Sequence, residues 1–181
     1  MSRPPRARES VLDAFEAILV DGGERGATLE ATARAAGVSK GGLLYHFGSK
    51  EALEAGLLER LDVLVEADIA AIMSAEEGPI AYFLRSSVMQ NDPLDRAIIA
   101  TARLAQNGSP AASAALRDIR RRWAEAIGPH TRDEAALNLV MLVSDGLYFN
   151  NALAGGSIPG PVPEGADMDA LIELVEGATK R

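Results

Sequence analysis

A short segment near the N-terminus combines helix-capping residues, glycines and a lysine in an order suited to phosphate contact. Thr28 and Ser39 are residue types whose side-chain oxygens accept hydrogen bonds from free backbone N–H groups where a helix begins. After Ser39 the chain reads Lys40-Gly41-Gly42, so the first turn of the predicted helix carries one positive charge and almost no side chain. Because backbone N–H groups at a helix start attract anions, this turn predicts a close approach to nucleic-acid phosphates.

Two short helices joined by a tight turn would present that segment. We predict one helix over residues 29–36, ended by Gly37 in a left-handed conformation, and a second over residues 40–47. The wedge between the two helices would be filled by small and apolar side chains, namely Ala33, Val38 and Leu43. This arrangement predicts a helix-turn-helix whose second helix enters the major groove of DNA. The alternative is a pair of short core helices joined by a glycine turn.

The remaining sequence also predicts helices, because apolar residues recur at spacings of three and four. A first stripe is formed by Val11, Leu12, Phe15, Ile18 and Leu19. A long amphipathic helix, capped by Ser49, follows and ends before Gly78, and later helices are predicted over residues 80–90, 94–107, 110–127, 132–153 and 167–179. Repeated glycine and proline make residues 154–165 a loop. We therefore predict an all-α protein with a domain boundary near Gly48, which divides it into an N-terminal helix-turn-helix domain at 1–48 and a larger helical domain at 49–181.

The distribution of charge suits this division. The formal net charge is −8, but residues 1–50 carry +1 and leave −9 for the rest of the chain. An acidic body repels DNA phosphates, so binding would be confined to the N-terminal domain. Arg3, Arg6 and Arg8 would form either an arm that contacts DNA or a disordered solvated tail.

The composition also bears on localisation. The chain has no cysteine, its first ten residues lack an apolar leader, and no apolar run approaches the roughly 20 residues of a membrane-spanning helix. We expect a cytoplasmic protein without a membrane-spanning segment.

The segment from Thr28 to Leu53 reads TLEATARAAGVSKGGLLYHFGSKEAL and resembles the DNA-binding motif of the tetracycline-repressor-like (TetR) regulators. The resemblance covers about the first third of the chain. It implies a three-helix DNA-binding domain, a larger helical domain that binds a small-molecule effector, and a homodimer formed through the last two helices. Such a dimer would bind a near-palindromic double-stranded DNA operator, and the usual output in this family is repression.

The resemblance also implies which side chains contact DNA. Carried over position by position, the phosphate-contacting and base-reading roles fall on Thr28, Ser39, Lys40, Gly41, Gly42, Tyr45, His46 and Lys50. The family often has Tyr-x-His-Phe, whereas here Leu44 takes the tyrosine position and Tyr45 follows it. We therefore expect Tyr45 to reach the DNA backbone. His46 has the alternative of capping or packing at the helix end, and Phe47 is assigned to the core.

No set of residues suited to catalysis is evident in the larger domain. Two histidines and no cysteine exclude a histidine-rich or thiolate metal site. Ser144 and Asp145 are adjacent, so on a helix their side chains would point about 100° apart. We expect neither an enzyme nor a metal or organic cofactor.

An effector pocket in the larger domain is a further expectation. Its candidate lining residues are aromatic, methionine or charged side chains within apolar helices, namely Tyr82, Phe83, Met89, Arg103, Trp123, Met141, Asp145, Tyr148 and Phe149. For the aromatic residues and methionines, core packing is the simpler alternative. For Arg103 and Asp145, the alternatives are an internal salt bridge or a solvent-facing position.

The helix predicted over 132–153 is apolar on more than one face, which predicts a two-fold interface shared with the last helix. Leu171, Ile172, Leu174 and Val175 of the last helix would support that interface. Burial within the monomer is the alternative. A second hypothesis for the whole chain is a helical ligand-sequestering or interaction protein that does not bind DNA.

Overall fold

The structure is a computed structural model that describes residues 4–88, 92–153 and 162–180. Its helices are α1 (Pro4–Gly22), α2 (Leu29–Ala35), α3 (Lys40–His46), α4 (Lys50–Ser74), α5 (Pro79–Ser86), α6 (Pro93–Gln106), α7 (Pro110–Ile127), α8 (Glu134–Leu153) and α9 (Ala166–Thr179). Single turns of 3-10 helix cover Glu24–Gly26 and Gly128–His130. No strand occurs in the described ranges, so the predicted all-α class is confirmed.

The predicted helix boundaries differ from the observed ones by a few residues, with local causes. α8 begins at Glu134 rather than 132 because the Asp133 carboxylate accepts a hydrogen bond from the Ala136 N–H at 2.8 Å and caps the helix. α5 ends at Ser86, before the predicted position 90. The Ser87 hydroxyl there donates to the Phe83 carbonyl at 2.6 Å, which competes with continued helical bonding. Most of the predicted loop, residues 154–161, lies outside the described residues.

The structure around the N-terminal arginines differs from both expectations for this segment, an arm that contacts DNA and a disordered tail. α1 begins at Pro4, so Arg6 and Arg8 lie on a helix and form neither an extended arm nor a disordered tail. Arg8 pairs with Glu59 at 3.2 Å, and its guanidinium lies 5.0 Å from the centre of the Phe47 ring. These contacts hold Arg8 against the protein. Arg3 lies outside the described residues.

Two compact units make up the chain. The first comprises Met1–Val65 and Asn91–Ile119, and the second comprises Glu66–Gln90 and Arg120–Arg181, so the division falls inside α4 and α7. In the first unit α1 packs on α2 and on α6. The predicted functional domains, 1–48 and 49–181, stay a prediction, because a packing unit and a functional domain are different divisions.

The core of the first unit confirms the predicted apolar stripe on α1. Val11, Phe15 and Leu19 are fully buried, together with Leu43 of α3 and Leu53 of α4. Burial of this many large apolar side chains stabilises the short helices α2 and α3, which at seven residues each are too short to be stable alone. The core thus fixes the two helices of the helix-turn-helix.

The second unit has its own core. It includes Ile80 and Leu84 of α5, Val140 and Met141 of α8, and Ile172 of α9. Arg132 donates its backbone N–H to the Thr179 carbonyl at 2.9 Å, which ties the start of α8 to the end of α9. In the parts of the chain that the structure describes, no helix is long and apolar enough to cross a membrane.

Candidate nucleic-acid interface

The first turn of α3 has the geometry expected of a phosphate-contacting helix start. The Ser39 side chain accepts a hydrogen bond from the Gly42 N–H at 3.0 Å and caps the helix as predicted. Gly41 is exposed, and a Cβ added to it would meet nothing nearer than the Ser39 Oγ at 4.0 Å. The backbone of this turn is therefore open to close approach by another molecule.

The preceding helix is positioned by a second cap and a glycine turn. Thr28 is exposed and accepts a hydrogen bond from the Ala31 N–H at 3.1 Å, so it caps α2 as predicted. Gly37 has φ of 68°, the left-handed conformation predicted for it. Ala33 is buried, and the Val38 N–H donates to its carbonyl at 3.0 Å across the turn. These residues form the predicted scaffold between α2 and α3.

The outer face of α3 carries two aromatic side chains at its end. Tyr45 is 83% exposed, while Leu44 beside it is 38% exposed. The Tyr45 and His46 rings meet edge to face with their centres 5.2 Å apart, and His46 is half-buried. Phe47 is buried, as predicted for a core residue. The tyrosine that is displaced by one position thus still points away from the core and leaves its hydroxyl free to reach a ligand.

Both predicted phosphate-contacting lysines are held in ion pairs within the first unit. Lys40 Nζ lies 2.5 Å from Glu30 Oε1, and Lys50 pairs with Glu24. The hydrogen bond from the Lys40 ammonium lowers the pKa of the Glu30 carboxyl, which keeps that carboxyl ionised. Inspection of the sequence missed these carboxylates, although Glu30 stands just after the Thr28 cap.

Two further arginines accompany the predicted contact residues. Arg25 lies in the 3-10 turn before α2, and Arg34 lies on α2. Both are exposed and neither forms an ion pair with the described residues. Sequence inspection counted them only toward net charge.

A glycine of α4 was also missed. A Cβ at Gly56 would lie 2.8 Å from Phe47 Cε1 and 3.2 Å from Leu12 Cδ2, so α4 passes close to the end of α3 and to α1 only because this position has no side chain.

Among the aromatic and methionine candidates for the effector pocket, Phe83, Met141, Tyr82 and Trp123 pack in or against the core of the second unit. Phe83 and Met141 are buried, and Tyr82, Trp123 and Tyr148 are half-buried. The Phe83 and Trp123 rings lie 5.9 Å apart, and the indole N–H of Trp123 donates to Asp68 at 2.8 Å. Met89 and the side chain of Phe149 lie outside the described residues.

The two charged candidates for the effector pocket, Asp145 and Arg103, belong to different units. Asp145 is exposed in the second unit and pairs there with Arg120 at 2.6 Å, so its ion pair lies at the surface. Arg103 is exposed on α6 in the first unit. The effector role of all these residues stays a prediction. Sequence inspection also missed a buried polar contact inside the second unit, the hydroxyl pair of Ser87 and Ser144 at 2.8 Å.

Comparison with solved structures finds the same fold in other proteins. A candidate regulator from Streptomyces coelicolor A3(2) is 20% identical with a TM-score of 0.68, over 98% of this chain and 100% of that one. A regulator from Saccharomonospora viridis, solved with choline, is 17% identical with a TM-score of 0.65, over 98% and 100% of the two chains. The multidrug binding protein EbrR, solved with imidazole, is 20% identical with a TM-score of 0.59, over 96% and 95%. A search of curated proteins finds no significant match.

Two family models match the sequence itself. Residues 11–55 match the bacterial regulatory proteins of the tetR family, and residues 77–176 match the C-terminal domain of tetracyclin repressor-like proteins. The first match contains the two caps, the glycine turn and the exposed face of α3 described above. Because the second match alone covers more than half of the 181 residues, the chain belongs to the TetR family of bacterial transcriptional regulators.

Proposed function

We propose that this chain is a ligand-responsive repressor that acts in the cytoplasm, binds a near-palindromic operator as a homodimer, and is released by a small-molecule effector. The observation that carries the proposal is the outer face of α3, where a capped helix start with two glycines is followed by the largely exposed Tyr45. A face with so little side chain at one end and a free phenol at the other suits insertion into a DNA groove.

The contacts with DNA divide by role. Ser39, Gly41 and Gly42 form a helix start at which the backbone N–H groups of α3 that the Ser39 cap does not accept can meet a phosphate, and Thr28 does the same for α2. Lys40 and Lys50 supply phosphate contacts, which hold the protein on any sequence. Tyr45 and His46 reach the backbone or base edges from the exposed end of α3.

The homodimer would form through α8 and α9. Leu139 and Leu142 on α8 are 40% and 64% exposed, and Leu174 on α9 is 71% exposed. A shallow groove beside Leu174 is lined largely by small residues, including Ala170 and Gly177, which would let a partner helix approach closely. Of the four residues of α9 expected at this interface, Ile172 and Val175 are buried in their own chain, Leu171 is half-buried, and Leu174 is the one that is largely exposed.

The effector would bind in the second unit, where the aromatic candidates lie. Choline is present in one structurally similar regulator and imidazole in a structurally similar multidrug binding protein, so small nitrogen-containing organic molecules are the first class to test. Binding there and at DNA would be coupled reciprocally, so an effector that weakens operator binding is itself bound more weakly in the presence of operator.

The experiment is a mobility shift with the DNA upstream of the chain's own gene, at two salt concentrations. Lys40→Ala and Lys50→Ala should weaken binding to every sequence and should each lower the slope of log affinity against log salt by about 1. Tyr45→Ala should weaken operator binding. Lys180→Ala, a surface lysine of the second unit, is the matched control and should leave binding unchanged.

Two results would contradict the proposal. If the folded protein shifts no sequence selectively, the ligand-sequestering hypothesis replaces it. If selective binding survives with unchanged salt slopes in both lysine variants, the phosphate roles of Lys40 and Lys50 are wrong.

A further inference from the structure

Both lysines of the proposed DNA surface already have an anionic partner in the free protein. Lys40, the first residue of α3, pairs with Glu30 in the first turn of α2. Lys50, the first residue of α4, pairs with Glu24 in the 3-10 turn that precedes α2. A phosphate that binds either ammonium must therefore displace a carboxylate or share the ammonium with it.

The two pairs differ in how far they are exposed to water. The Lys40 and Glu30 side chains are 53% and 61% exposed, so water screens their attraction strongly. The Lys50 and Glu24 side chains are 30% and 28% exposed, so their attraction is screened less. The Lys50 pair should therefore be the more costly of the two to open.

We propose that Glu24 and Glu30 compete with DNA phosphates for Lys50 and Lys40 and thereby set how tightly the protein binds DNA of any sequence. This inference rests on the proposed phosphate roles of the two lysines. A carboxylate and a phosphate are alternative partners for one ammonium, because each neutralises it through charge-assisted hydrogen bonds.

The competition lowers affinity for operator and non-operator DNA by the same factor. Phosphate contacts carry no sequence information, so weakening them lowers the occupancy of all non-operator DNA. A sequence that also satisfies the exposed face of α3 gains base contacts that the carboxylates do not oppose. Glu24 and Glu30 thus limit binding to DNA in general, while the ratio of operator to non-operator affinity stays set by the base contacts.

The competition does not act as a pH switch near neutrality. The Lys40 ammonium lowers the pKa of the Glu30 carboxyl, so Glu30 stays ionised throughout the neutral range. The balance between carboxylate and phosphate is set instead by salt and by DNA.

The test compares charge-neutralised variants on a mixed-sequence duplex of about 30 base pairs, three helical turns. Glu30→Gln should tighten binding by about two- to fivefold, the range expected for an exposed ion pair. Glu24→Gln should tighten it by at least as much. Asp21→Asn changes net charge equally at an exposed carboxylate without a lysine partner among the described residues, and should change binding by less than either.

Double variants, in which each glutamate substitution is combined with removal of its partner lysine, test whether the glutamate acts through that lysine. Glu30→Gln should lose its gain when combined with Lys40→Ala, and Glu24→Gln should lose its gain when combined with Lys50→Ala. A gain that persists without the lysine, or that Asp21→Asn matches, would overturn direct competition in favour of a general field effect. A loss of affinity in Glu30→Gln would overturn it in favour of a carboxylate that orients Lys40 toward DNA.

Failure of this inference is distinguishable from failure of the proposed function. If the unaltered chain binds DNA and the lysine variants bind more weakly, but the glutamine variants bind unchanged, only the competition is wrong. If no protein binds any duplex, including the glutamine variants, both are wrong. If only the glutamine variants bind the mixed-sequence duplex, the competition is supported, and the selective mobility shift with the unaltered chain decides the proposed function.

Discussion

At the scale of single residues, the start of α3 depends on the absence of side chains as much as on their presence. Gly41 and Gly42 follow the Ser39 cap and leave the backbone of the first turn uncovered. Glycine lowers helix stability, so two in one seven-residue helix are unfavourable for folding alone. Close approach of this turn to DNA is the functional reason we propose for them.

Replacement of Gly41 by alanine separates the two effects. The new Cβ meets no atom closer than 4.0 Å, so Gly41→Ala should raise the free energy of unfolding by about 1 kcal/mol through helix propensity. The same methyl group should weaken DNA binding by holding the backbone away from phosphate. Urea unfolding and a mobility shift measure the two quantities, and unchanged DNA affinity would contradict close approach at this turn.

Glu54 gives a pH-dependent prediction. Burial raises the pKa of the Glu54 carboxyl above its ordinary 4.5, although the Ser109 hydroxyl lies 3.4 Å away and opposes the shift. Below the ordinary pKa the carboxyl is neutral in both folded and unfolded chains. The burial penalty develops as the pH rises through the folded pKa and is complete above it.

Glu54→Gln should therefore stabilise the fold more at pH 7 than near pH 4, since the amide is neutral at both. The measurement is the difference in urea-unfolding free energy between the variant and the unaltered chain at the two pH values. An equal free-energy difference at the two pH values would show that the stability change comes from packing of the amide and not from the charge of Glu54.

At the scale of elements, Gly56 determines how closely α4 packs on the helix-turn-helix. A Cβ there would lie 2.8 Å from the Phe47 side chain and 3.2 Å from the Leu12 side chain, and both of these side chains are buried in the core. Gly56→Ala gains about 1 kcal/mol of helix propensity but costs roughly 1–3 kcal/mol by overpacking. We therefore expect Gly56→Ala to lower the free energy of unfolding by about 1 kcal/mol, measured by thermal unfolding, and to weaken DNA binding. Gly41→Ala is the matched control for stability, because there the same substitution should raise the free energy of unfolding.

Three helices of the first unit meet at one buried carboxylate. Glu16 on α1 has a side chain only 6% exposed and pairs with Arg96 of α6 at 3.0 Å and with Arg60 of α4 at 3.5 Å. Burial without these partners would be unfavourable for a charged group. Glu16 therefore ties α6 and α4 to the helix that carries the apolar stripe.

Removing that carboxylate should loosen the first unit. We expect Glu16→Ala to lower the free energy of unfolding by about 2 kcal/mol, less than the roughly 3–5 kcal/mol of fully buried pairs because both arginines can rehydrate. Asp13→Ala removes an Arg60 partner that is 68% exposed and should cost less than about 1 kcal/mol. Equal losses in the two variants would show that burial of Glu16 contributes nothing extra.

At the scale of the whole molecule, family membership confirms the prediction of a DNA-binding regulator rather than an enzyme, because the TetR family consists of transcriptional regulators. A two-fold dimer is the assembly that we propose for it. The exposed leucines of α8 and α9 are the residues on which that assembly depends.

Substitution of those leucines tests the dimer. The particle in solution should have about twice the 19.1 kDa mass of one chain. Leu142→Glu or Leu174→Glu should lower the measured mass toward that of a monomer, because each would bury a charge at the interface. Val63→Glu, at an equally exposed apolar residue of α4, is the control and should leave the mass unchanged. Light scattering measures mass and circular dichroism checks helicity; a dimer that persists in both leucine variants would move the interface elsewhere.

Much of the fold could be predicted because its signals are local. Helical periodicity, the Thr28 and Ser39 caps, and the positive φ of Gly37 depend on a few neighbouring residues, so inspection of the sequence identified them. The assignment of Arg6 and Arg8 to an arm or tail failed because α1 begins before them, where Arg8 contacts Phe47 and Glu59, residues distant in sequence. The effector candidates were chosen by residue type alone, which does not distinguish a pocket wall from a core.

The amino-acid sequence by itself determined the helical class, the helix-turn-helix with its caps, and the family to which its motif belongs. Only the tertiary structure decided that Lys40 and Lys50 are paired with Glu30 and Glu24, and that Glu16 joins three helices. The physical reason is range. Caps and turns form between residues three or four apart, whereas ion pairs and the burial of a charge depend on which distant segments the folded core brings within a few ångströms.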